Sequence, residues 1–263
     1  MTAQNPEDFG SALLPEERRR LILERLSTQG RVFAADLCGL LRVSEDTVRR
    51  DLRELDEAGL LRRVHGGALP RIQMSPSHQA RVGLHQSEKQ ALAEVAAGLV
   101  QPGQVLFIDG GTTTLEVARH LPKDLRATVV TVSPPVALAL AEYPGLEVRL
   151  VGGRLHPEAL TVVGAETVEA LRQVRADLCL MGVCSLHIDG GITASYAEEA
   201  ATKRVMVQNA AETVAVFTAD KLGTLSPFVV APAERLGTLV TEARTPESVL
   251  APFRKLNLRI LTA

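Results

Sequence analysis

From Ser87 onward, short apolar runs alternate with helical runs rich in alanine and leucine, and this alternation constrains the fold more than any other feature of the chain. The apolar runs are Val105 to Ile108, Thr128 to Val132, Val148 to Val151, Leu178 to Met181, Val214 to Phe217 and Thr238 to Val240. Each is nearly unbroken, which suits a strand covered on both faces, and strands separated by helices build a parallel sheet. Residues 87–263 are therefore expected to form a Rossmann-like, mainly parallel α/β sheet. Several runs end in polar loops: "DGGTTT" from Asp109, "TVSPP" from Thr131, "VGGRL" from Val151, "GVCSLHIDGG" from Gly182 and "TADKLG" from Thr218. In open α/β sheets such loops converge at the carboxyl ends of the strands, where ligands bind.

"DGGTTT" stands between a strand-like run and the helical run from Leu115. A helix N-terminus there leaves backbone N–H groups free for an anion. The same residues also serve a plain strand-to-helix corner, with glycines for the turn and a threonine as cap. The loop alone leaves both readings open.

The first 70 residues follow a different pattern. Residues 1–14 are polar and aperiodic and read as a loose tail. "PEERRRLILERLSTQG" places Leu21, Ile22 and Leu26 on one stripe, with Pro15 and two glutamates in the first turn and Gly30 past the end. A second helix, "FAADLCGLL", packs Leu37, Leu40 and Leu41. After Arg42 and Val43 comes "SEDTVRRDLRELDEAG", with Ser44 as N-cap, Val48, Leu52 and Leu55 at helical spacing, and Gly59 as the stop. "LLRRVHGGALP" then reads as a β ribbon closing on Gly66-Gly67. Three helices and a ribbon make a winged helix-turn-helix over 15–70, with the helix-turn-helix itself at about 32–51. The aperiodic stretch 71–86 reads as a linker.

The exposed face of the third helix presents Ser44, Thr47, Arg49, Arg50 and Arg53, whose hydroxyls and guanidinium forks suit phosphates and base edges in a major groove. Arg62, Arg63 and His65 in the ribbon suit contacts with the flanking backbone or minor groove. Neighbouring Asp46, Asp51, Glu54, Asp56 and Glu57 would equally make this an ordinary solvated helix laced with i,i+4 pairs. The net charge of −2 over 263 residues excludes a bulk polycation, so any nucleic-acid contact is local. Cys38, Cys179 and Cys184 lack metal-ligand spacing and read as reduced core thiols. With no signal-like leader and no run of about 20 apolar residues, a cytoplasmic protein without a membrane span is expected.

The stretch "RLSTQGRVFAADLCGLLRVSEDTVRRDLRELDEAGLLRRVHGGA" resembles the helix-turn-helix of the DeoR family of bacterial transcription regulators. It carries Val43, Ser44, Thr47, Val48, Arg49, Arg50, Asp51, Leu52, Leu55, Gly59, Leu60 and the terminal run from His65 to Ala68. The resemblance extends over roughly residues 15–243. Glu88-Lys89, Asp109 with Gly111 to Thr113, Thr131 with Ser133, Gly152-Gly153, Val163-Gly164 and Lys221 before Gly223 match landmarks of DeoR-type sensor domains. It implies that Asp51 is scaffold while Ser44, Thr47, Arg49 and Arg50 face double-stranded operator DNA. It also implies a sensor similar in fold to sugar-phosphate isomerases and CoA-transferases, with a phosphorylated sugar or related metabolite as effector.

The effector contacts expected are Asp109, Gly110, Gly111, Thr112, Thr113, Ser133, Gly152, Gly153 and Lys221. Backbone glycines and threonines suit a phosphate, Lys221 adds charge, and Asp109 suits sugar hydroxyls. Two departures from the family pattern bear on the ligand: Val132 in place of an amide side chain, and "TADKLG" in the late loop. The expected function is a repressor, acting as a dimer or tetramer because paired heads read paired half-sites, with no cofactor, metal or membrane. An isomerase-like enzyme using Asp109, Asp189 and Lys221, and a purely structural DNA-bridging oligomer, are the competing classes.

Overall fold

The computed structural model describes residues 13–29, 31–70 and 75–263. Most of the expected tail, Gly30 and the start of the expected linker (71–74) lie outside the described residues. The chain divides into two compact units, residues 1–71 and 72–263.

The N-terminal unit consists of α1 (Pro15–Gln29), β1 (Val32–Phe33), α2 (Ala34–Leu41), α3 (Glu45–Glu57), β2 (Leu61–Val64) and β3 (Gly67–Pro70). Its strands form one antiparallel sheet in the order β1-β3-β2. Ile22, Leu26, Leu37, Leu41, Val48, Leu52, Leu55 and Leu61 fill one core, as the helical spacing predicts. Leu40, expected to pack with them, is instead exposed. Between α2 and α3 the chain turns through Arg42 in the left-handed region at φ 52°. Ser44 then caps α3, its hydroxyl accepting from Thr47 N at 3.3 Å. The ribbon turns through His65-Gly66, one residue earlier than expected. β1 pairs through only two residues and is too short to show a period.

Asp51 faces inward from α3 and accepts two bonds from the Arg18 guanidinium of α1, at 2.8 and 3.1 Å. Both side chains are largely buried. The fork geometry fixes one helix against the other, so the carboxylate is scaffold, as the resemblance implies.

The second unit is a three-layer α/β/α sandwich around seven parallel strands in the order β15-β14-β12-β9-β4-β5-β6. These are β4 (Val105–Ile108), β5 (Ala127–Thr131), β6 (Leu146–Leu150), β9 (Ala176–Gly182), β12 (Ala210–Val216), β14 (Thr238–Thr241) and β15 (Arg259–Thr262). Alternate residues of each strand enter opposite layers. Leu106 and Ile108 pack with α5 (Gln86–Ala97), α6 (Thr112–His120) and α7 (Pro134–Leu140), whereas Phe107 packs with α8 (Ala165–Arg172), α9 (Ala197–Asn209) and α10 (Glu247–Arg254). The mainly parallel sheet is as the sequence predicts. The parts not foreseen are β15, the hairpin of β7 (Arg154–His156) with β8 (Thr161–Val163), and an antiparallel sheet of β10 (Ser185–His187), β11 (Gly191–Ala194) and β13 (Phe228–Ala231).

The expected linker is not structureless beyond residue 74. It holds a single helical turn, α4 (His78–Arg81), capped by Ser77 and fastened to the second unit. His78 N donates to Glu158 O at 2.6 Å, and Ser75 N donates to Ser195 Oγ at 2.7 Å.

Because removing one partner of a buried pair strands the other charge, Asp51→Ala is expected to cost about 3 kcal/mol in the N-terminal unit. Calorimetry of the full chain should show a lowered transition for that unit with the transition of the second unit unmoved; coincident, unshifted transitions would count against it.

Candidate functional site

In the N-terminal unit a groove of about 500 Å³ runs between α3 and the β2–β3 ribbon. It gathers Arg49, Arg53, Arg63 and His65 along its walls, so four of the eight expected DNA contacts face one channel. Arg50 and Arg62 are exposed outside it. Ser44 is also exposed, and its hydroxyl lies 3.0 Å from that of Thr47. Arg49 pairs with Glu45 at 2.7 Å, both side chains more than half exposed. An exposed i,i+4 pair is worth about 0.5 kcal/mol or less, so the guanidinium is readily surrendered to a phosphate.

In the second unit, strand order reverses direction between β4 and β9. β5 and β6 extend the sheet on one side of β4, and β9, β12, β14 and β15 extend it on the other. That switch point opens a crevice at the strand ends. Asp109, just past β4, lies at its bottom, 1% exposed. Its Oδ2 accepts from Gly182 N at 3.2 Å and from Lys203 of α9. Lys203 Nζ also donates to Gly182 O at 2.9 Å and stands 3.5 Å from Glu199. Burial alone would lower the Lys203 ammonium, but the charges of Asp109 and Glu199 outweigh it and hold the group above the ordinary lysine value. The structure thus gives Asp109 a different partner from the sugar hydroxyl expected for it: its carboxylate anchors Lys203 beneath the crevice.

Above this floor, Gly111 is the N-cap of α6 at φ 133°, a conformation that L side chains rarely adopt. α6 starts here, and the N–H groups of its first turn have no intrahelical acceptors. Thr112 and Thr113 line a cavity of about 150 Å³ together with Arg81, His85, Lys89 and Lys221. Lys89 is 5% exposed, and its Nζ donates to Arg81 O at 2.9 Å. Burial, and then the charges of Arg81 and Lys221, hold this ammonium below the ordinary lysine value. Lys221 pairs with Asp220 at 2.9 Å. Arg81, Lys89 and Lys221 against the one carboxylate of Asp220 leave the cavity positive, and an anion there would relieve the crowding around Lys89.

Thr112, Thr113 and Lys221 are thereby brought together, with Gly110 and Gly111 lining a smaller chamber that shares the two threonines, while three other expected contacts are not. Ser133 is buried as the N-cap of α7, accepting from Val136 N at 3.5 Å. Gly152 and Gly153 are exposed in the turn before β7, and Gly152 O accepts from Thr167 Oγ1 at 2.8 Å. Val132 is 1% exposed within the core, so its departure from the family pattern does not alter the cavity wall.

Sequence reasoning missed Arg81, His85, Lys203 and Glu199. Arg81 lay in the presumed linker, although Ser77 as an N-cap was a readable signal. Glu199 and Lys203 have the i,i+4 spacing of any surface pair.

The comparisons with known proteins agree with this two-part layout. Residues 18–71 match the DeoR-like helix-turn-helix domain and residues 84–243 match the DeoR C terminal sensor domain. The chain belongs to the DeoR family. Among DeoR-family relatives it is 36% identical over 232 residues to the HTH-type transcriptional regulator GlpR of Haloferax volcanii, covering 88% of this chain and 91% of that one. It is 34% identical to the HTH-type transcriptional repressor GlcR of Bacillus subtilis, covering 86% and 88%. It is 30% identical to a putative aga operon transcriptional repressor of Escherichia coli O157:H7, covering 93% of each. This DeoR-family chain is thus a transcriptional regulator with a DNA-binding unit and a sensor unit. Among solved structures, the probable sor operon regulator of Shigella flexneri matches 76% of this chain and 97% of that one at 12% identity and a TM-score of 0.46. Among the described residues, no helix is long and apolar enough to cross a membrane.

Lys203→Met leaves the Asp109 carboxylate buried without its cation and is expected to cost about 3–5 kcal/mol. Asp109→Leu/Lys203→Met together should be milder than the single change. Urea midpoints of the wild type, Asp109→Leu, Lys203→Met and the double variant check this, and a double variant as unstable as the sum of the singles would contradict the pairing.

Proposed function

We propose that this DeoR-family regulator is a repressor of a carbohydrate or related metabolic operon. A phosphorylated sugar or similar metabolite enters the sensor cavity and lowers operator affinity. The observation that carries this reading is the convergence of the α6 N-terminus with Arg81, Lys89 and Lys221 on one cavity at the switch point. Backbone N–H groups at a helix start, with cations around them, suit a phosphate. The names of curated relatives, regulators and repressors of which one is named as a putative aga operon repressor, support the assignment to operon control.

On the DNA side, Arg49, Arg53, Arg63 and His65 in the groove, with Ser44, Thr47, Arg50 and Arg62 beside it, serve as the operator contacts. Two heads on a homo-oligomer read paired half-sites. For the effector to release DNA, it binds the DNA-free state more tightly than the DNA-bound state, and the same factor weakens effector binding on the operator. The effector is bound and released unchanged, so no turnover is expected when pentose and hexose phosphates are incubated with the protein and followed by NMR.

Arg50→Ala is expected to weaken operator binding at least about tenfold in a gel shift at fixed ionic strength, with the circular dichroism spectrum unchanged. Unaltered affinity would remove Arg50 from the interface. In the sensor, a matching phosphosugar should raise the melting temperature of the full chain by several degrees, and Arg81→Ala or Lys221→Ala should abolish the rise. A phosphosugar panel without any shift would sink the effector reading. Because Lys89 is held below the ordinary lysine value, effector affinity should begin to fall with rising pH before that value is reached; an affinity constant through that range would take Lys89 out of the anion site.

A further inference from the structure

Four buried polar atoms of the sensor unit have no hydrogen-bond partner among the described residues, and they lie on neighbouring elements: His78 Nε2 and Arg81 Nε on α4, His156 Nδ1 on β7 and Thr161 Oγ1 on β8. His156 stands directly opposite Thr161 in the hairpin register, and α4 is bonded to the same hairpin through Glu158. Buried polar groups are normally paired, so a cluster of this kind calls for an occupant. A small chamber adjoins it. With a volume of about 20 Å³ it is lined by Thr161, Cys184, Glu199 and Lys203, and it shares Arg81, Thr112 and Thr113 with the larger cationic cavity. Thr161 is 4% exposed. Its methyl group is fitted so closely to the "DGGTTT" loop that a Cβ on Gly110 would lie 2.1 Å from it.

The chamber has room for about one water-sized group, too little for a phosphate, and its chemistry is selective. Lys203 has three protons and faces three acceptors: Asp109, the Gly182 carbonyl and Glu199. It has none to spare. Glu199 is 8% exposed, and its contacts are Lys203 at 3.5 Å and the Cys184 thiol at 3.6 Å, both long. An ionised carboxylate only accepts, so a group entering here must donate, and the Thr161 hydroxyl can accept from it or donate to it. An alcohol satisfies both, whereas a carboxylate cannot donate and brings like charge against Glu199.

We propose that this inner chamber is the subsite that selects the effector by its carbon skeleton, seating one hydroxyl of a phosphorylated sugar or polyol between Glu199 and Thr161. It rests on the reading of the outer cavity as the phosphate site. The effector therefore spans both chambers, phosphate in the outer one and hydroxyl-bearing end in the inner one. Phosphorylated sugar acids are rejected at the inner end.

The test uses the full chain and calorimetric titration with inorganic phosphate and two matched pairs: glucitol 6-phosphate with 6-phosphogluconate, and ribitol 5-phosphate with 5-phosphoribonate. Each pair shares a carbon chain and differs in ending as a hydroxyl or a carboxylate. The wild type is expected to bind at least one polyol phosphate about tenfold or more tighter than its acid partner. Thr161→Val should keep or raise the melting temperature of the free protein, because it removes an unpaired hydroxyl, and should keep the affinity for inorganic phosphate. It should weaken the polyol phosphate about tenfold. Glu199→Gln should shrink the preference over the acid.

The proposal is overturned by variants that keep the wild-type preference, or by a wild type that favours the acids. It is also overturned if Thr161→Val melts lower and loses inorganic phosphate as well, since that marks a general packing role. If Glu199→Gln does not fold, Thr161→Val decides alone. A wild type that binds neither phosphate nor any phosphorylated compound overturns the outer-site reading and this one with it, whereas phosphate binding without discrimination overturns this one only.

Discussion

The buried pair between Asp109 and Lys203 is the contact on which the sensor unit is organised. Two opposite charges out of water are tolerable only together, since either alone costs several kcal/mol. Asp109 follows β4 directly and Lys203 comes from α9, while Gly182 at the end of β9 bonds to both. One cluster therefore joins the two strands between which the sheet order reverses and pins a helix of the opposite layer over their ends. The loops that wall the cavity grow from these fixed points. The pairing also explains why a parallel sheet with apolar cores on both faces carries a buried charged residue just past the end of an interior strand.

The strands were legible because burial on both faces demands apolar residues without interruption, so Val105 to Ile108 and Leu178 to Met181 stand out by composition alone. β15 was not legible: it is an edge strand whose residues are exposed or half-buried, and "RILT" follows other mixed residues with no contrast. The antiparallel additions were missed for a related reason, being strands of three or four residues within polar loops. In the N-terminal unit, caps and helical spacing were local signals and survived folding, from Ser44 to Gly59.

The sensor site divides in the same way. "DGGTTT" and Lys221 were readable because glycine, threonine and lysine at a strand end carry local chemistry. Glu199 and Lys203 were not, because their spacing is that of any solvated helical pair and only the tertiary fold turns that face inward. Arg81 was hidden by the absence of a period around a single helical turn. Val132 shows the opposite error: a polar-to-apolar departure looked like a change of pocket, yet the side chain points into the core.

In α3, the inward edge is committed by Val48, Leu52, Leu55 and the Asp51 fork to Arg18, while the arginines on the other side meet no packing demand. The two sides of one helix thus meet separate physical demands. If these arginines read the operator as proposed, substitutions at positions 49, 50 and 53 change what the helix reads without touching the side chains that dock it.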